Sequence, residues 1–390
     1  MFYTNMTSIL AMCGMIAVLM LTRRWAGNKR VLLLLFNAAF LLVYSQKLFV
    51  FYMAWTALNF IGFRFLCVVP KWRKGWFLSA IAANVAAVSS LRLFEMDVWT
   101  NSLFDAVLFL GVIYNVLKVI DAYYFAYYVG KDGRAGAMDY FNFILFIPTF
   151  TSGPILKFRD FMADTRKPYQ VDTTAFEAGI KRIILGLFKK FVIVAWMSRI
   201  FYDVMDGAGT LQTHESLFLM IWFYIWIYFD FSGYSDIAIG FGRLMGYNIP
   251  ENFKKPFTAP TLTQYWRNWH ATMADWFRDH VFLIFGRQTP SKWAGAAMSF
   301  GIMVLIGLWH GFNWLFVLWG VYHGIVIAIE SLLGQTTVNK KKVSRSYFYF
   351  RCFVTQAIVV FAVIVYSYSP ATGYETVLKI YRGLFTLPSF

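Results

Sequence analysis

Two histidines stand where imidazole chemistry is possible. His310 lies in VLIGLWHGFNW, inside a run with no charged residue between Trp293 and Glu330. A neutral imidazole is cheaper to bury than a carboxylate, and it is the side chain best matched to general-base work near neutral pH. Gly307 and Gly311 flank it, so backbone or substrate can approach closely. Two readings stay open for this residue taken alone: a general base, or a core histidine bonded to a neighbouring carbonyl. His270 lies in LTQYWRNWHATMADWFRDHVF. Helical spacing puts Trp266, Trp269, Met273, Trp276 and Phe277 on one face, with His270 one turn beyond Trp266, and puts Arg267, Asn268, Asp275, Arg278 and Asp279 mostly on the other. That pattern suits a helix lying at a membrane interface or dipping into the protein. His270 then either rims the apolar face or meets a substrate.

The other histidines are expected to be structural. His280 shares the face of His270 near its end, His214 sits among polar residues, and His323 would fall on nearly the opposite side of an unbroken helix from His310. No histidine pair has close ligand spacing and no carboxylate completes a set, so no metal site is expected. The segment YFDFSGYSDIAIGFG sets Asp230, Ser232, Ser235 and Asp236 in an apolar stretch. A carboxylate there can orient an imidazole or pair with Arg243. Ser232 lacks the glycine spacing of a nucleophile elbow, which favours a polar contact between helices. Cys13, Cys67 and Cys352 are far apart in apolar segments and read as packing thiols.

The elements that must carry these residues are membrane spans. Of 390 residues 59% are apolar and only 14% charged, against about 25% charged in soluble domains. The 36 basic residues outnumber 20 acidic ones, but they cluster between apolar runs, which argues for cytoplasmic loops near anionic headgroups and against nucleic acid. The N-terminus, with no basic leader, reads as an uncleaved first span over 6–21. Residues 31–69 are long enough for two crossings, and 76–94 and 103–129 supply two more. The clusters at 23–30, 71–74 and 131–134 then fall on the cytoplasmic side, with the N-terminus and the 95–101 turn outside.

Residues 141–153, FNFILFIPTFTSG, are too short to span and suggest a re-entrant or buried piece. A basic amphipathic helix or span over 176–204 comes next, then a long aromatic segment at 216–246 and a polar, Trp-rich insert at 247–292. Residues 293–333 hold two short crossings around Gly311, and 347–369 the last clear span, after a basic cluster at Lys340, Lys341, Lys342 and Arg345 that again reads as cytoplasmic. The expectation is an all-α, polytopic membrane protein of about ten transmembrane helices plus re-entrant or interfacial helices. It forms a single membrane domain over 1–390, with N-terminal spans (1–135), a motif-bearing core (140–325) and a C-terminal span and tail (347–390).

WRNWHATMADWFRDHVF, with GLWHGFNWLFVLWGVYHG forty residues on, resembles the membrane-bound O-acyltransferase (MBOAT) family, as do the upstream YFDFSGYSDIAIGFGRLMGYNIPENF and IPTFTSGPILKFRDF. The resemblance is continuous over residues 140–325. It is closest to the bacterial branch that modifies cell-envelope polymers, by teichoic-acid D-alanylation or by alginate and peptidoglycan O-acetylation. IPTFTSGPI resembles the D-alanylating proteins, although Leu156 stands where they usually have an acidic residue. FDFSGYSDIAIGFG and SYSPATGYETVLK resemble the acetylating ones.

The resemblance implies a ring of helices around a thin centre crossed by a tunnel. It implies His310 as the catalytic histidine and His270 as the second characteristic one, with Trp266, Trp269, Asn268, Arg278, Asp236 and Trp309 supporting the site or binding substrate. The implied activity is O-acyl transfer of a D-alanyl or acetyl group from a cytoplasmic thioester, either a carrier protein's phosphopantetheine or acetyl-CoA, to an extracytoplasmic envelope polymer or a partner acyltransferase. A thioester carries its own activation, so no bound cofactor is expected. The implied location is the cell (plasma or inner) membrane. The basic clusters suit headgroup contact or docking of an acidic acyl-carrier protein. The alternatives are a transporter or flippase for an envelope polymer or its lipid carrier, against which stands the lack of internal repeats, and a subunit that anchors a soluble transferase.

Overall fold

The computed structural model describes residues 5–25, 28–69, 71–95, 103–207, 209–285, 291–367 and 373–386. The outer turn expected at 95–101 lies, beyond Glu95, outside them. Among the described residues all regular structure is helical, and it divides into two compact units, 1–185 with 234–251 and 186–233 with 252–390.

The first unit holds α1 (Met6–Leu21), α2 (Asn28–Tyr44), α3 (Gln46–Val68), α4 (Arg73–Glu95), α5 (Leu103–Val129), α6 (Ala137–Ile144), α7 (Phe158–Thr165) and most of α8 (Thr173–Phe188). Of residues 141–153, expected to be re-entrant or buried, all are buried except Phe141, which is half-buried. Several polar side chains inside these apolar helices bond to one another or to backbone. Tyr123 donates to Asn59 at 2.8 Å, Asn84 donates to Asn59 at 2.9 Å, and Lys118 reaches the Ile144 carbonyl at 3.3 Å. Such contacts replace the hydrophobic drive that lipid does not supply between helices.

Arginines of α2, α3 and α4 find partners on α5, on α6 and between them. Arg73 donates to the Ala126 carbonyl at 2.7 Å, Arg64 to that of Ala135 at 3.3 Å, and Arg30 pairs with Asp139 through two 2.6 Å bonds. Of the cysteines, Cys67 and Cys352 are buried, while Cys13 is exposed and so does not pack.

The second unit holds α9 (Val194–Gly207), α11 (Leu262–Trp266), α12 (Ala271–Phe285), α13 (Lys292–His310), α14 (Trp314–Leu332), α15 (Arg345–Val363) and α16 (Gly373–Gly383). The helix α10 (Thr213–Leu244) lies in this unit as far as Gly233. A π-turn at Lys189–Ile193 joins α8 to α9. It turns both lysines toward α10, where Lys190 pairs with Asp230 and Lys189 donates to Ser232 at 3.3 Å. Among the described residues five helices, α3, α10, α13, α14 and α15, are long and apolar enough to cross a membrane. Of the other spans expected, α1 and α2 have only 16 and 17 residues, and the π-turn divides the segment at 176–204.

The hairpin of α13 and α14 matches the two crossings expected around Gly311. Gly311 ends α13, and Asn313 starts α14, its side chain accepting the Leu315 N–H at 2.8 Å. The two helices pack backbone to backbone. A Cβ at Gly307 would collide with the Phe316 carbonyl, and one at Gly311 would lie 2.7 Å from the Phe316 ring. Of the two approaches the sequence left open at these glycines, backbone or substrate, the structure shows the second helix.

Candidate active site

The segment around His270 is two helices and a turn, where its spacing suggested one helix. Thr261 starts α11, its hydroxyl accepting the Gln264 N–H at 3.0 Å, and α11 stops after five residues at Trp266. His270 then takes a left-handed backbone conformation, φ +46°, which residues other than Gly, Asn and Asp seldom adopt. Its carbonyl opens α12 by accepting the N–H groups of Met273 and Ala274.

Residues 252–254 strap this turn from outside. The Asn252 carbonyl accepts the Ala271 N–H at 2.8 Å, and the Asn268 carbonyl accepts that of Lys254 at 2.8 Å. Asn252 Oδ1 accepts both the hydroxyl and the N–H of Thr272, at 2.8 and 3.3 Å. Despite the break, Trp266, Trp269, Met273, Trp276 and Phe277 are all buried, as their spacing required.

His310 is the last residue of α13, half-buried at the hairpin turn and not deep within a span. Its ring stacks on Phe316 at 5.9 Å and meets Trp309 and Trp319 edge-on at 4.9 and 5.7 Å. Ile227, Phe231, Trp266, Trp269, His270, Met273 and His310 line one cleft, whose free volume of about 10 Å³ admits one water-sized body. Trp309 stands beside both histidines, 6.4 Å from the ring of His270.

His270 is only 4% exposed, and burial lowers its pKa from 6.5 to about 4. It is therefore a neutral ring at physiological pH, able to act as a hydrogen-bond donor or acceptor but not as a cation. Trp266, on the same wall, carries an indole N–H with no hydrogen-bond partner among the described residues. The cleft thus offers two imidazoles in apolar surroundings, with Trp266 in its wall.

The remaining residues singled out from the sequence have other surroundings. Asn268 belongs to the turn, its amide donating to the Gln264 carbonyl at 2.9 Å. Arg278 is exposed on α12 and pairs with Asp275 and Asp279 at 2.8 and 3.0 Å. Asp236 falls in the first unit, where it takes Arg182 at 2.5 Å, and Arg182 also grips Glu251 through bonds of 2.8 and 2.5 Å. Its partner is thus Arg182, not Arg243. His280 Nδ1 carries a proton and donates it to the Trp276 carbonyl at 2.7 Å, since a carbonyl only accepts. His323 was expected on the side away from His310. The break at Gly311 instead folds its helix back, and its ring meets Trp319 at 4.6 Å, the residue that also touches His310. His214 lies in the first turn of α10.

Four contributors gave little sign of themselves in the sequence. Ile227 and Phe231 passed as ordinary span residues. Asn252 stood in NIPENF without a role. Glu330 served only to mark the end of an uncharged run, yet its carboxylate takes two backbone N–H groups and a hydroxyl at the start of α11.

Residues 101–369 match the sequence family described as MBOAT, membrane-bound O-acyltransferase family. Among curated proteins the chain is 31% identical over 275 residues to the probable alginate O-acetylase AlgI of Pseudomonas syringae pv. tomato, covering 70% of this chain and 51% of that one. It is 32% identical over 208 residues to the teichoic acid D-alanyltransferase of Bacillus subtilis, covering 51% and 52%. It is 29% identical over 204 residues to the peptidoglycan O-acetyltransferase of Helicobacter pylori, covering 51% and 38%. The chain spans about half the length of the curated relatives it matches.

Proposed function

The chain belongs to the membrane-bound O-acyltransferase family, and on that premise we propose that it moves a short acyl group, D-alanyl or acetyl, from a cytoplasmic thioester to a hydroxyl outside the cell membrane. The donor is a carrier protein's phosphopantetheine thioester or acetyl-CoA. The acceptor is a cell-envelope polymer or a partner acyltransferase that passes the group on. The observation that carries this reading is the meeting of His270 and His310 in one tight apolar cleft.

In the reaction a ring nitrogen of His310 takes the proton of the acceptor hydroxyl as its oxygen attacks the thioester carbonyl carbon. The C–S bond then breaks, and the departing sulfur takes the proton back, leaving an ester and a free thiol. Negative charge that builds on the carbonyl oxygen needs donors already in place. Neutral His270 and the indole N–H of Trp266 are the candidates on the cleft wall. The apolar lining keeps hydrolytic water away from the thioester.

The test uses the purified chain in detergent with a radiolabelled acyl thioester and an envelope-polymer acceptor. Label is expected on the acceptor with the wild type, and none with His310→Ala, although that variant elutes and melts as the wild type does. Undiminished transfer by a well-folded His310→Ala protein would sink the assignment.

A further inference from the structure

We propose that Glu330 is a positioning residue of this site: its carboxylate fixes α11, and through it Trp266 and His270, against the helix that touches His310. The proposal rests on the acyl-transfer reading for its kinetic consequences, but the clamp itself is read from geometry. Glu330, 9% exposed, lies in the last turn of α14. One of its oxygens accepts the Leu262 N–H at 2.7 Å, and the other accepts the N–H and the hydroxyl of Thr263 at 2.9 and 2.7 Å.

A helix needs such help when it is short. An isolated helix below about 12 residues is marginal in water, and α11 has five. Its first N–H groups have no carbonyl in their own helix. Glu330 satisfies two of them at once, from across 68 residues of sequence.

The grip has a second point. Trp266, the last residue of α11, meets Trp319 and His323 of α14 edge-on at 5.3 and 5.5 Å. Trp319 also meets His310 at 5.7 Å. Trp319 and Glu330 are separated by about 16 Å along the axis of α14. Held on α14 at both its first turn and its last residue, α11 resists sliding along α14 or turning about its own axis. His270 comes four residues after Trp266, so its place opposite His310 depends on that registration. Gln264 adds a tie outside the clamp, accepting the Val338 N–H at 2.9 Å.

Glu330→Gln preserves size but sets an amide donor among groups that are themselves donors. In the labelled-thioester assay this variant is expected to lose about 30- to 100-fold in kcat, with donor KM changed less than about threefold, since misplacing reacting groups by about 1 Å costs about two orders of magnitude. Thr263→Val removes one of the same bonds. If the two residues act through one contact, the double variant is no slower than Glu330→Gln alone, and losses that multiply overturn the proposal. A Glu330→Gln protein with wild-type kcat, or with a change in KM alone, also overturns it.

A readout without turnover separates the clamp from the reaction. Met273, 1% exposed on the cleft wall, is replaced by cysteine in a protein lacking Cys13, Cys67 and Cys352, and alkylation by a maleimide is timed. Glu330→Gln is expected to speed alkylation at least about tenfold, and an unchanged rate refutes the clamp. Faster alkylation in a protein whose wild type transfers no label upholds the clamp and refutes the acyl-transfer reading instead.

Discussion

Replacing Gly320 with alanine is expected to slow acyl transfer about a hundredfold without unfolding the protein. Gly320 faces α13 where the two backbones touch. A Cβ built there lies 2.6 Å from the Met303 carbonyl oxygen and 3.0 Å from Val304 Cα, whereas ordinary contact begins at 3.4 Å. Both obstacles are helix backbone and cannot rotate aside. The helices must separate by close to 1 Å, and His310, two turns beyond Met303 on α13, shifts relative to Trp319 and the cleft. A misplacement of about 1 Å costs about 100-fold in rate, equivalent to about 2.7 kcal/mol of barrier. The assay is kcat and KM with the labelled thioester. Gly301→Ala is the control on α13, because a Cβ at Gly301 meets nothing within 4 Å, and its kcat is expected to match the wild type. If Gly320→Ala also turns over at the wild-type rate, hairpin contact does not set the position of His310 and the reasoning fails.

Two further outcomes concern stability. The buried His270 has its pKa lowered from 6.5 to about 4, so above pH 6.5 it adds no pH dependence. Between those values the unfolded chain binds a proton that the folded chain refuses, and stability falls by roughly 2 kcal/mol at pH 5. Thermal unfolding at pH 7.5 and pH 5 should show a smaller drop for His270→Asn, which tolerates the left-handed backbone, and an equal drop would place the titration elsewhere. Lys190 and Asp230, 12% and 24% exposed at their side chains, pair beside the π-turn. Lys190→Met is expected to cost about 3–5 kcal/mol by leaving a carboxylate alone, with most of it recovered in Lys190→Met/Asp230→Leu. A single variant as stable as the wild type, judged by its melting temperature in detergent, would show that the carboxylate reaches water.

Hydropathy and punctuation make part of this molecule legible from its residues alone. The α13–α14 hairpin is visible because an uncharged run of the right length is cut by Gly311, with Asn313 ready to cap the second helix. The burial of Trp266, Trp269, Met273, Trp276 and Phe277 is visible because apolar spacing records which side faces inward. Periodicity cannot show that their helix breaks at His270, since the break depends on Asn252, eighteen residues upstream, holding Ala271 and Thr272. The candidate site is partly legible: His270 and His310 both stand out by their surroundings, and both line one cleft. Partner choice is not, because a buried charge advertises its need for a counter-ion but not which one. Asp236 takes Arg182 rather than Arg243, which is nearer in sequence, and Glu330 takes backbone amides that have no sequence signature at all.

The smallness of the cleft has a consequence for selectivity. On the proposed acyl-transfer reading, a space this small must widen before an acyl group enters, and its walls are mostly aromatic, Phe231, Trp266, Trp269, His270 and His310 beside Ile227 and Met273. The work of widening grows with the bulk of the guest, so a long chain is disfavoured before any polar group has read it. On that same reading, discrimination by size would be exercised on entry, leaving the two imidazoles to meet the carbonyl and hydroxyl common to every guest small enough to be let in.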